Sequence, residues 1–272
     1  MQSTRDHFLI SQLSLTYQQG LIQTGLWNTH CPIPLNRLRL LQITYCDFSG
    51  QTHVDGQLIV MDAVAQAIAE LFHALLHISF PIAKLRLTSE YHGDDALSMR
   101  DNNSSAFNNR PITGGTLPSL HAYGLAIDLN PLQNSYVNLD QPEASPYLDR
   151  QNQRLGMCEP IVNLFKQHGF FIWGGHWRNP IDYQHFQTSR FVAQLLATMT
   201  PAFAEAFFDW TRQTPDMIAL FQPEHYASMA ALYHQAPGQF VDFLQKECVS
   251  LKKETVSDWV THWTKYNKGK QP

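Results

Sequence analysis

The sequence predicts an α+β domain followed by an all-helical C-terminal extension, and three observations predict it. Short runs of β-forming residues recur before residue 190, interleaved with two segments of helical periodicity. Two long stretches rich in polar residues and turn formers, 93–120 and 130–158, interrupt these elements and are too long to be passive connectors. After Thr200 the strand signals stop and proline-led helix starts replace them.

Taken in order, residues 1–35 lack strong periodicity and read as a leading segment of a helix and loops. The run "RLRLLQITYCDF" alternates, which predicts a strand over 38–46. Val60, Val64, Ile68, Leu71, Leu75 and Ile78 recur at spacings of three and four, so a long amphipathic helix is expected there, ended by Pro81. "IAKLRLTSEY" and "LAIDL" read as strands on either side of the first long loop. Past the second loop, "EPIVNLFKQHG" reads as a helix with Gly169 as its C-terminal stop, and "FFIWG" as a further strand. Beyond it, "TPAFAEAFFDW", "TPDMIALF" and "PEHYASMAALYHQAPG" place Pro in first turns, two of them after a Thr suited to capping. Three to five short helices follow from this pattern. The expected division is a leader 1–35, a main domain 36–198 and a helical extension 199–272.

Composition narrows the function classes. At 272 residues with 44% apolar content, the chain can bury a sizeable core. A net charge of -4 leaves no basic footprint for nucleic acid. No run approaches the length of a membrane-spanning helix. The N-terminus pairs one Arg with Asp6 and lacks a small-residue cleavage site, so it is a poor signal peptide and the compartment stays open. Cys31, Cys46, Cys158 and Cys248 are too dispersed for a zinc ribbon or a redox pair. They read as small buried hydrophobes, with a Cys31–Cys46 disulfide as the lesser alternative in an oxidising compartment.

The chemistry sits in two short blocks. In "SLHAYGLAIDLNP", His121 and Asp128 stand seven positions apart; in "DYQHF", Asp182 stands three before His185. Three ligands of this kind suit a catalytic zinc, which keeps one position open for water. An Asp beside the third ligand suits the base that takes a proton from that water. Core packing with incidental polar residues is the alternative for each block.

The blocks carry a resemblance. Together with "LRLTSEYHGDD", "DNNSSAFNNRPITGG", "PYLDR" and "FIWGGHW", they resemble, over roughly residues 38–190, the VanY-like zinc D-alanyl-D-alanine carboxypeptidases and related L-alanyl-D-glutamate endopeptidases of peptidoglycan metabolism. The resemblance implies a small antiparallel sheet bearing the ligands, with helices packed on it. It implies zinc held by His121, Asp128 and His185, Asp182 as general base, and Arg110 as the group that binds substrate or polarises its carbonyl. Asn109 departs from the Cys that often precedes this Arg. The implied partner is a peptidoglycan peptide, cleaved at D-Ala-D-Ala or alternatively at L-Ala-D-Glu, which points to a periplasmic or secreted enzyme. A non-catalytic binding protein on the same zinc fold, as in hedgehog-type domains, is the reading from a different class. Nothing in the resemblance extends to 199–272.

Other candidates weigh less. Ser119, Tyr123, His176 and Trp177 flank the blocks and are candidates for substrate contact or ligand orientation. His73 and His77 have metal-pair spacing on a helix but lack the Glu of a zinc-peptidase helix motif, so they read as helix-face residues. Asp94 and Asp95 read as turn-forming loop residues. Trp173, Trp210, Trp259 and Trp263 read as core aromatics.

Overall fold

The computed structural model describes residues 8–140, 145–218, 221–246 and 261–266. The chain divides into two compact units, Met1–Thr188 and Ser189–Pro272.

The first unit opens with β1 (Phe8–Gln12) and α1 (Leu15–Gln23), then β2 (Leu38–Cys46) and β3 (Thr52–Met61). These strands form an antiparallel sheet in the order β1-β2-β3, so residues 8–12 are an edge strand where the sequence reads only a helix and loops. As the central strand, β2 is apolar on both faces: Leu38, Leu40, Leu41 and Ile43 are all buried. Helix α2 (Ala65–His77) packs across it. The expected helix over 60–78 therefore starts later, because Ile59, Val60 and Met61 finish β3 before a 3-10 turn leads into α2. Short apolar runs fit either element, and here pairing with β2 decides.

Helix α2 ends in a Schellman arrangement. The Phe80 amide donates to the Leu75 carbonyl (2.9 Å) and the Ser79 amide to Leu76 (2.9 Å), with Ser79 left-handed at φ 55°. His73 is exposed and meets Phe8 edge-on, and His77 is exposed at the helix end. Both are surface residues.

Ahead of the first long loop, only Lys84–Leu85 of the expected strand forms, as β4; the loop itself holds α3 (Asp95–Arg100) and β5 (Asn103–Ser104), and β5 pairs with β4 in parallel. Asp94 caps α3 through the Leu97 amide (3.0 Å), as its reading as a turn residue expects. After β6 (Ala126–Asp128), β7 (Tyr136–Val137) and α4 (Val162–Gln167) come β8 (Ile172–Trp173), β9 (Ile181–Asp182) and β10 (His185–Gln187). Strand β10 lies between β6 and β8 in an antiparallel sheet, and β7 pairs with β9. Gly169, at φ 90°, closes α4 while the Phe170 amide donates to the Phe165 carbonyl.

Buried Asn134 and half-buried Arg150 hold the second long loop. The Asn134 amide donates to the carbonyls of Leu129, Asn130 and Gly156, and its oxygen accepts from the Cys158 amide and Arg150. Arg150 forms a two-pronged ion pair with Glu159 and lies 4.2 Å over the Tyr183 ring. Cys31, Cys46 and Cys158 carry free thiols, so there is no Cys31–Cys46 bond; Cys46 and Cys158 are buried as small hydrophobes, Cys31 is half-buried, and Cys248 lies outside the described residues. The thiol hydrogens of Cys31 and Cys46 point to the Ala122 and Phe80 carbonyls.

The second unit is helical throughout its described residues: α5 (Arg190–Thr198), α6 (Pro201–Gln213), α7 (Pro215–Ile218), α8 (Tyr226–Gln235) and α9 (Pro237–Lys246). It begins ten residues ahead of the expected boundary because the apolar face of α5 packs on α6 and α8. Thr200 stands at the N-cap of α6 without a side-chain cap bond, and Thr214 ends that helix by donating to the Trp210 carbonyl (2.7 Å). Trp210 and Trp263 are buried, the latter edge-on to Phe240 and Phe243, while Trp259 lies outside the described residues. No described helix is long and apolar enough to cross a membrane.

Candidate metal centre

Three side chains converge from two elements. Asp128 ends β6 and His185 begins β10, and the two are directly opposed across the antiparallel pair. Opposed residues bring their Cβ atoms to about 5 Å, so this pairing alone places a carboxylate against an imidazole. His121 comes from a 3-10 turn, Leu120–Tyr123, that runs into β6. Ser119 caps that turn by accepting from the His121 amide (3.3 Å), and Gly124 ends it in a left-handed conformation. A Cβ on Gly124 would lie 2.6 Å from the Met61 nitrogen, so only glycine lets the turn seat against β3.

The ligand-type atoms of His121, Asp128 and His185 all lie within 4.8 Å of one another, and the three residues are 2%, 4% and 6% exposed. His185 Nδ1 is 2.9 Å from Asp128 Oδ1, while His121 Nε2 is 3.2 Å from Asp128 Oδ2 and 3.2 Å from His185 Nδ1. Each imidazole has its outer nitrogen against a pure acceptor. His121 Nδ1–H donates to the Ala106 carbonyl, and His185 Nε2–H donates to Gln187 Oε1 (2.8 Å). The inner nitrogens then present lone pairs to each other and to a carboxylate. Three buried acceptors cannot face one another bare; a cation or a proton must lie between them. The donor set fits a metal ion.

Electrostatics agree with that demand. Burial would lower the His185 pKa, but its hydrogen bond to Asp128 and that residue's charge outweigh burial and push it up to about 9. Burial opposes ionisation of Asp128, yet His121 and His185 hold its carboxyl well below the usual range.

Asp182 lies on β9, opposite Tyr136 on β7. It is 9% exposed, and its Oδ1 is buried without a hydrogen-bond partner. Burial first, and the Asp128 charge second, push its pKa up to about 7 against the opposing pull of His185 and His121. Gly174 makes this placement possible, since a Cβ there would meet the Asp182 carbonyl oxygen at 2.4 Å.

Arg110 is anchored to Asp95, with Nη2 2.5 Å from Oδ2, and the other oxygen of Asp95 accepts from Asn108 (3.3 Å). The Arg110 Nε is buried without an acceptor. Burial raises the Tyr136 pKa most, with further opposite contributions from Asp182 and Arg110, so both charges lie within electrostatic reach of that phenol.

The remaining candidates separate. The hydroxyl of Ser119 is committed to its cap, and Tyr123 is buried in the same turn. His176 is exposed and packs edge-on against Trp173 at 4.9 Å. Trp177 is 37% exposed, with its ring centroid 5.3 Å from that of His185, which makes it a rim aromatic beside the three converging side chains.

The segment carrying this geometry also carries a family match. Residues 113–188 match the D-alanyl-D-alanine carboxypeptidase family. That stretch holds His121, Asp128, Asp182 and His185, and Arg110 lies just ahead of it. No curated protein and no solved structure matches the chain.

Sequence reasoning missed Gln187 and the Ala106 carbonyl, and it read Asp95 as a turn former where the structure pairs it with Arg110. Gln187 had a readable signal: on a strand, residue i+2 shares a face with residue i. A backbone carbonyl has none.

Proposed function

We propose that the chain is a zinc peptidase that hydrolyses D-amino-acid-containing peptide bonds of peptidoglycan stem peptides, of the D-Ala-D-Ala carboxypeptidase type. The observation that carries this reading is the buried convergence of His121, Asp128 and His185 inside the segment that matches a peptidase family, with Asp182 in electrostatic contact with them.

In this reading His121 Nε2, Asp128 and His185 Nδ1 hold zinc. A zinc ion there supplies Lewis acidity, polarising a carbonyl and lowering the pKa of water toward neutrality. Asp182 accepts a proton at its unpartnered oxygen as water attacks the peptide carbonyl, and hands it to the leaving amine. Burial raises the Asp182 pKa above the ordinary carboxylate range, which suits a carboxyl that takes up a proton and gives it back. The buried Arg110 Nε–H, which lacks an acceptor, is offered to the oxygen on which charge develops, and Asp95 holds the guanidinium in place. Trp177 supplies an apolar wall for the substrate at the rim.

The test measures zinc content and muropeptide hydrolysis on one preparation, with wild type beside His185→Ala. One zinc per chain and release of D-alanine in wild type, both lost in the variant, is the expected result. Cleavage between L-Ala and D-Glu instead would move the assignment to an endopeptidase. Bound zinc with no cleavage of either bond would leave a binding protein.

A further inference from the structure

We propose that Gln187 is the positioning residue of the metal centre: its amide oxygen selects the His185 tautomer whose Nδ1 lone pair faces the ion. The inference rests on His121, Asp128 and His185 being a metal site, and it assigns a role to a side chain outside that set.

The geometry follows from strand alternation. His185 and Gln187 point to one face of β10, while Phe186 between them points into the core and stacks on Phe165 at 3.7 Å. The backbone of Gln187 is paired on both sides, to Ala126 on β6 and Ile172 on β8, so its side chain starts from a fixed point. From there Oε1 reaches 2.8 Å from His185 Nε2. A carbonyl oxygen accepts only, so the imidazole hydrogen goes to Nε2. That leaves Nδ1, 2.9 Å from Asp128 Oδ1 and 3.2 Å from His121 Nε2, free to bind an ion.

Without Gln187 the hydrogen has a competing place. On Nδ1 it would donate to Asp128, satisfying both groups and removing two of the three ligand atoms at once. His121 is protected from this by the Ala106 carbonyl, a backbone group that no substitution removes. His185 depends on a side chain, so the centre is tunable at this one ring. A carboxylate at 187 would keep the acceptor and bind the N–H more strongly. An aliphatic residue of similar size would keep the packing and lose the acceptor.

The experiment uses the full chain, stripped of metal and titrated with zinc against a chromophoric chelator, for wild type, Gln187→Leu and Gln187→Glu. Gln187→Leu should weaken zinc binding by about 10- to 100-fold, the usual effect of removing a partner of a ligating His. Gln187→Glu should restore wild-type affinity or exceed it. In the zinc-loaded wild type, 15N-edited imidazole spectra should show His185 protonated at Nε2, and that signal should be lost to solvent exchange in Gln187→Leu. Equal zinc affinity in wild type and Gln187→Leu overturns the proposal, as does a Gln187→Glu variant as weak as Gln187→Leu. Should Gln187→Leu fail to fold, the wild-type spectrum decides: a hydrogen on Nδ1 overturns the assignment. A wild type that takes up no zinc would instead remove the metal centre on which the inference rests.

Discussion

His185 and Asp128 face each other as an opposed pair across β10 and β6, with Nδ1 and Oδ1 2.9 Å apart. In that short bond either a proton or a metal ion can occupy the imidazole lone pair, but not both. The competition makes the charge state of His185 the variable through which pH acts on this half of the molecule.

Metal affinity should therefore rise with pH. With the His185 pKa raised to about 9, a bound ion must displace one proton at neutral pH. Apparent affinity for zinc should climb about tenfold per pH unit and level off near pH 9. Chelator-buffered titrations between pH 6 and 9.5 measure the slope, and a flat profile would show that no proton leaves His185.

Stability of the metal-free protein should run the other way. The folded pKa of His185, about 9, exceeds its reference of 6.5, so the stabilisation it gives is complete below about pH 6.5 and is lost as pH rises through about 9. Asp182 is raised from 3.8 to about 7, so the folded state resists its ionisation and stability declines as pH rises from about 4 to 7. Asp128, held low, has the opposite sign but acts only in acid, below its ordinary range. The urea midpoint of chelator-treated protein should thus fall between pH 5 and 9.5, and Asp182→Asn should abolish the part below pH 7. A midpoint that increases over this range would contradict the buried pairing. Adding zinc at pH 8 should raise the midpoint, because the ion joins β6, β10 and the His121 turn.

Asp182→Asn separates binding from chemistry. The amide keeps the shape of the side chain and leaves His121, Asp128 and His185 in place, so one zinc per chain should remain. Hydrolysis of D-Ala-D-Ala peptides should drop by about 10²- to 10⁴-fold, the usual weight of a general acid–base group. Unaltered turnover would remove Asp182 from the mechanism.

How much of this was legible in the sequence varies with the kind of interaction. The convergence of His121, Asp128 and His185 could be anticipated because the two short blocks that hold them resemble a zinc peptidase family, whereas their spacing alone left core packing as an alternative. Strand β2 was visible for a similar reason, since nine residues of β-forming character carry their own signal. The start of α2 was not, because Val60 suits strand or helix and only pairing with β2 decides. Strands of two residues such as β8 and β9 exist through their partners and have too few residues to show a period. Arg110 was named as a candidate, but its tie to Asp95 depends on the path of the loop between them, which local sequence does not specify. The place of α5 was hidden because its apolar face looks the same whichever unit it covers.

The anchoring of Arg110 gives a further expectation. Asp95→Ala would free the guanidinium from the contact that fixes it, while leaving His121, Asp128, His185 and Asp182 untouched. Misplacing a positioning group by about 1 Å costs up to about 10²-fold in rate. The value of kcat/KM should fall within that range with zinc content unchanged, and Asp95→Glu should recover part of the loss. A variant with wild-type kcat/KM would mean that Arg110 does not act from this position.

Gly174 offers the sharpest steric test, because the contact it permits is with the backbone of the proposed base. A methyl group at 174 would sit 2.4 Å from the Asp182 carbonyl oxygen and 3.0 Å from its Cβ. Backbone cannot rotate away as a side chain tip can, so β9 or the Gly174–His176 turn must shift. Overpacking of this kind costs about 1–3 kcal/mol, which corresponds to a Tm decrease of about 2–12 °C for a unit of this size. His121, Asp128 and His185 lie on other elements, so Gly174→Ala should still bind zinc. Its activity should fall, because Asp182 moves relative to them. Calorimetry, zinc analysis and a peptide assay on the one variant distinguish the outcomes: lost activity with retained zinc fits a displaced base, whereas unchanged Tm and turnover would mean that the contact between Gly174 and Asp182 does not position the carboxylate.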